Sequence, residues 1–92
     1  MRAIWKFPLR ITDHFTVIMP FGAKLLHVGL DPSGAPCVWA EVDTDAPAQE
    51  RLLAIVGTGN SMFALPDHAT HVGSFVDRGF MWHLYDETEE AF

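Results

Sequence analysis

Apolar and polar side chains alternate with a period of two along almost the whole chain, the spacing of an extended backbone whose successive side chains point to opposite faces. In the first segment, Ala3, Trp5, Phe7, Leu9 and Ile11 alternate with Arg2, Lys6 and Arg10, which sets an aromatic and aliphatic face against a cationic one. Pro8 has no N–H to give to a ladder, so this strand belongs at a sheet edge. A second strand is expected over residues 14–19, with Phe15, Val17 and Met19 on one side, before the turn Pro20-Phe21-Gly22-Ala23. Residues 25–30 and 37–42 read as strands three and four, joined by the Pro- and Gly-containing loop 31–36. Residues 51–56 are apolar at both parities, as in a strand covered on both faces. Residues 72–76 and 80–85 form a last pair across Asp77-Arg78-Gly79, in a register that places Phe80, Trp82 and Leu84 on one face.

Strands spaced this way, with turn signals every 8–12 residues or so, predict an all-β fold: a small antiparallel β-sandwich or partly open barrel of about seven short strands. Asn60 or Ser61 as a cap and Pro66 as a stop allow at most one helical turn near residues 60–66, inside the longest connection, 59–70. A chain of 92 residues with 49 % apolar and 20 % charged composition makes one domain and is not disordered. No apolar run approaches the ~20 residues that a membrane-spanning helix requires. Residues 1–10 carry spaced cations and lack the apolar core of a secretory leader, so a cytoplasmic location is expected. A single cysteine cannot make an internal disulfide and is too few for a zinc knuckle.

The net charge of −6 argues against nucleic acid as the main partner, and it is unevenly distributed. Residues 1–24 hold Arg2, Lys6, Arg10 and Lys24 against Asp13, a net +3, whereas residues 25–92 hold Arg51 and Arg78 against eleven carboxylates, a net −9. Glu41, Asp43 and Asp45 recur at i, i+2 and i+4, so an extended backbone lines them on one face for as long as the strand persists. With Val38, Ala40 and Val42 turned to the core, Trp39 shares that acidic face, and an accessible Trp beside carboxylates has the composition of an interface anchor. A second acidic feature, Asp86, Glu87, Glu89 and Glu90, follows the last strand.

Catalytic chemistry finds little support. Cys37 has no histidine near it in sequence and reads as a small core residue. Ser61 and Ser74 lack the strained elbow that exposes a nucleophile, and the paired carboxylates look open to water. Asp67, His68 and His71 lie within five residues, but no second ligand pair accompanies them, so no metal site or cofactor is expected. Gly57-Thr58-Gly59 lacks the third glycine and the helix of a dinucleotide fingerprint. It reads as a sharp strand exit whose backbone N–H groups are available to a small anion.

The segments Ile4-Trp5-Lys6-Phe7-Pro8-Leu9, Met19-Pro20-Phe21-Gly22-Ala23-Lys24-Leu25-Leu26-His27-Val28-Gly29, Pro36-Cys37-Val38-Trp39-Ala40-Glu41-Val42-Asp43, Val56-Gly57-Thr58-Gly59 and Phe80-Met81-Trp82-His83-Leu84-Tyr85 occur in that order. Together they resemble a family of small uncharacterised proteins of phages and prophages. The resemblance covers most of the chain, departs around residues 60–70, and brings no catalytic residues with it. It implies a context in which small acidic proteins act by binding a host protein or a host signalling molecule. The leading expectation is therefore a non-enzymatic interaction protein that binds a basic host protein through an acidic surface of Trp39, Glu41, Asp43 and Asp45. In its sharpest form it inhibits an antiviral system, such as a CRISPR effector, by occupying a basic nucleic-acid channel. A second expectation is a homo-oligomer that sequesters an anionic signalling nucleotide with Arg2, Lys6, Arg10, Lys24 and Thr58. A third is a small virion or assembly component that oligomerises through edge strands.

Overall fold

The computed structural model describes residues 1–89. Seven strands account for it: β1 Arg2–Pro8, β2 His14–Pro20, β3 Lys24–Leu30, β4 Pro36–Asp43, β5 Ala48–Gly57, β6 Thr70–Asp77 and β7 Phe80–Asp86. The described residues contain no helix. β1, β4 and β3 form one sheet in that order, and β2, β5, β7 and β6 form the other; every pairing is antiparallel. The two sheets pack face to face as an open sandwich, which is the fold class that the alternation predicts.

Each strand turns one parity inward. Val28, Val38, Leu53, Ile55, Phe75 and Leu84 fill the space between the sheets, and Met19, Ala23, Ala40 and Val42 extend it to one end. Val38, Leu53 and Leu84 are completely buried, so truncating any of them leaves a hole that the rigid sheets cannot close. The strand containing Pro8 is an edge strand, as its missing N–H requires. β1 ends at Pro8 rather than continuing to Ile11, although the Leu9 N–H still donates to the Pro36 carbonyl at 2.9 Å.

β3 and β6 lie against each other at one side of the sandwich, and each carries a bulge, at Leu26 and at Val72. Their close approach depends on Gly73, since a Cβ there would lie 3.0 Å from Cγ1 of Val28. The β6–β7 hairpin closes through Arg78 and Gly79, both at positive φ (52° and 81°), the primed turn that matches strand twist. Phe80, Trp82 and Leu84 do share a face, but only Leu84 is buried; Phe80 beside the turn stays exposed.

β5 ends where β7 begins, while β6 starts at the opposite end of the sheet, so residues 58–69 must run back along it. This connection crosses the outer face, which is why Ala54 points away from the core and is nevertheless buried. The covering expected on both faces of β5 is thus supplied by the other sheet on Leu53 and Ile55 and by the crossover on Ala54; Leu52 remains exposed. Residues 60–66 form no helical turn. Two hydrogen-bonded turns take its place, Leu65 N–H to the Met62 carbonyl (2.9 Å) and Ala69 N–H to the Pro66 carbonyl (3.0 Å).

Candidate functional site

β4 is the central strand of the three-stranded sheet, and its outward parity carries Trp39, Glu41 and Asp43. The strand ends at Asp43, so Asp45 lies in the following turn, where its N–H donates to Oδ1 of Asp43. Antiparallel register sets Trp39 between Lys6 of β1 and His27 of β3, and Glu41 between Ile4 and Lys24. The Trp39 and His27 rings lie 5.5 Å apart. Trp39 itself is half-buried.

The same register folds the basic N-terminal segment onto the acidic one. Arg2 pairs with Glu41 at 2.5 Å, and the terminal ammonium of Met1 reaches Asp45 at 2.8 Å and Asp43 at 3.3 Å. Backbone N–H donation from Asp45, together with this ammonium, holds the Asp43 carboxyl below the usual range. Lys6 pairs with Asp31 at 2.8 Å. The Asp31 carboxylate also accepts from the Ser33 hydroxyl and the Ala35 N–H, and these contacts, Lys6 first, hold it well below the ordinary carboxylate value. The Glu41, Asp43 and Asp45 stripe is thus brought together as the sequence suggests, but with a cation on each member.

The cations of the alternative set are not gathered in one protomer. Arg2, Lys6 and Lys24 belong to β1 and β3, Arg10 is exposed in the connection between β1 and β2, and Thr58 sits on the outer face of the other sheet. Cys37 is buried beside Asp31, and burial pushes its thiol pKa up, as befits a core residue.

The four-stranded sheet and the residues that follow it carry further carboxylates, Glu50, Asp86, Glu87 and Glu89. Asp86 is drawn inward, where it forms a 2.5 Å ion pair with Arg51 whose side chains are only 16 % and 11 % exposed. Arg51 also donates to the Ala23 carbonyl at 2.6 Å, on the floor of a 620 Å³ cleft beside Phe21 and Thr70. Glu87 pairs with His14 at 3.0 Å. Glu89 is 84 % exposed, 3.9 Å from a nitrogen of His68, and Glu50 has no cationic partner among the described residues. Glu90 of the acidic tail lies outside the described residues. Glu50, Glu87 and Glu89 line one shallow groove of 550 Å³ with Leu52, Pro66 and His68, and no lysine or arginine contributes to it. Ile18, opposite Glu50 on β2, extends this surface with exposed apolar area.

The histidines sort differently from their spacing. His68 Nε2 lies 2.8 Å from the Glu87 carbonyl oxygen and anchors the crossover, whereas His71 Nε2 turns to the Ser74 hydroxyl at 3.1 Å. The Ser74 hydroxyl is also 2.6 Å from His83 Nδ1, and His83 Nε2 is 2.8 Å from the Thr58 hydroxyl. Sequence reasoning missed this row. Counting outward from the 78–79 turn does place Ser74 opposite His83, but the bulge at Val72, which returns His71 to the same face, has no sequence signature. Among the described residues, no three histidine, cysteine or carboxylate side chains converge on one point.

A family model described as "Domain of unknown function (DUF7352)" matches residues 1–91, and the chain belongs to that family. No curated protein and no solved structure matches it.

Proposed function

We propose that this member of the DUF7352 family is a non-enzymatic interaction protein that docks onto a basic surface of a partner protein. The observation that carries the reading is the groove in which Glu50 and the exposed Glu89, with Glu87 behind them, surround Leu52 and Pro66 with no lysine or arginine of the protein's own. A cationic side chain entering there meets Glu50, which has no ion pair among the described residues, and Glu89, whose carboxylate is 84 % exposed, while its aliphatic stem covers Leu52. The Glu41–Asp45 stripe is the weaker docking surface, because a partner must first displace Arg2 and the terminal ammonium. Trp39 remains a contact point on that face, flanked by Lys6 and His27. In the setting implied by the resemblance to phage proteins, the partner is a nucleic-acid-handling host protein whose basic channel the groove occupies.

The test is capture of a partner from bacterial lysate at low and moderate salt, run in parallel with a Glu50→Lys/Glu89→Lys variant and a Glu41→Lys/Asp45→Lys variant. The reading expects a basic protein whose retention falls with salt, is lost in the first variant and persists in the second. Retention unchanged by the first variant refutes it.

A further inference from the structure

We propose that His71 and His83, with the Ser74 hydroxyl between them, form a binding site for a borderline divalent metal ion of the Zn²⁺, Ni²⁺ or Cu²⁺ class. The site goes beyond partner docking and rests on a separate set of residues. His71 and Ser74 belong to β6 and His83 to β7, and the bulge at Val72 is what turns His71 to the outer face that Ser74 and His83 already occupy. His71 Nε2 and His83 Nδ1 both aim at the same oxygen, from 3.1 Å and 2.6 Å, so two imidazole nitrogens from neighbouring strands converge on one point. His71 and Ser74 are exposed and His83 is half-buried, so an ion can reach the two nitrogens beside that oxygen from solvent.

The surroundings fit ligation in two further respects. A histidine that binds metal through Nδ1 must carry its proton on Nε2, and ligating histidines are held in that tautomer by an acceptor at the second nitrogen. The Thr58 hydroxyl, 2.8 Å from His83 Nε2, is that acceptor, brought there by the crossover as it leaves β5. The Tyr85 ring packs edge-on against His71, with centroids 5.3 Å apart, and restrains the second imidazole. An imidazole pair with one hydroxyl selects borderline transition ions, since Mg²⁺ and Ca²⁺ require a cage of oxygens. Nitrogen–zinc bonds are about 2.0–2.1 Å long, so the ion seats beside the Ser74 oxygen, the two hydrogen bonds open to admit it, and water completes the coordination.

Titration with ZnCl₂ at neutral pH, followed by the imidazole nitrogen signals of all five histidines, reads the site directly. The expected result is that the His71 and His83 signals move together and saturate at one ion per chain, while those of His14, His27 and His68 stay in place. His71→Gln and His83→Gln each weaken binding by at least about tenfold. No saturable shift at millimolar zinc, or an affinity unchanged in His71→Gln, overturns the proposal. Should either glutamine variant fail to fold, Thr58→Val retains both ligands: binding about tenfold weaker supports the site, and unchanged binding contradicts it.

Discussion

Replacing Asp86 by Asn should destabilise the fold by about 2 kcal/mol at neutral pH. Asp86 closes β7 on the inward parity opposite Leu53, and Arg51 reaches it from β5, so the pair ties the two central strands of the larger sheet together at one end. Removing one member of a fully buried ion pair costs about 3–5 kcal/mol, because the other charge is left without a partner. Here both side chains keep more than a tenth of their surface in water, and Arg51 retains the Ala23 carbonyl, which brings the cost to roughly half of that. In a domain of this size such a loss lowers Tm by about 8–16 °C. The pH dependence provides a second check. Burial alone would raise the Asp86 carboxyl, but donation from Arg51 and Thr88 outweighs it and holds the pKa below the usual value. A depressed native pKa contributes stability that is fully present above the unfolded carboxylate value and is lost as pH falls through the native one. The difference between wild type and Asp86→Asn is therefore full at neutral pH and narrows below about pH 4. Urea unfolding followed by tryptophan fluorescence at neutral and acidic pH measures both effects. A loss below about 0.5 kcal/mol at neutral pH, or one that is equal at both pH values, refutes the reasoning.

Leu84→Ala, at a completely buried position on β7, should cost about 2–5 kcal/mol in the same assay. Gly73→Ala should cost about 1–3 kcal/mol through its clash with Val28, and Val28→Ala should recover part of that loss; strictly additive effects would rule the clash out. Glu41→Gln breaks an exposed pair with Arg2 and should cost less than about 1 kcal/mol, a difference that disappears at high salt. The Cys37 thiol should react with a thiol reagent only as fast as the protein opens, and rapid labelling of the native state would contradict its burial.

The strands were legible because two-residue alternation reports directly which parity is buried. Pro8 marked an edge, and Asp77-Arg78-Gly79 marked a hairpin. Partner choice was not legible, because alternation assigns faces and not neighbours. That β1 lies beside β4 follows only from the assembled sheet, and with it comes the pairing of Arg2 with Glu41 and of Met1 with Asp43 and Asp45. The charge imbalance between the two segments therefore looked like one acidic and one basic surface, although the fold sets them side by side. Glu50 of β5 and Glu87 and Glu89 beyond β7, distant in sequence, instead come to line one groove without a lysine or arginine. His71 illustrates the same limit: one bulge residue decides which face it occupies.

The central claim, that the Glu50–Glu87–Glu89 groove receives cationic side chains, is tested most directly by titrating an arginine-rich peptide into the isotopically labelled protein and mapping backbone amide shifts. The account predicts saturable, salt-sensitive shifts centred on Glu50, Leu52, His68 and Glu89, with Glu41 to Asp45 little changed. Shifts centred on Glu41 to Asp45, or no saturable shift at low salt, would contradict it.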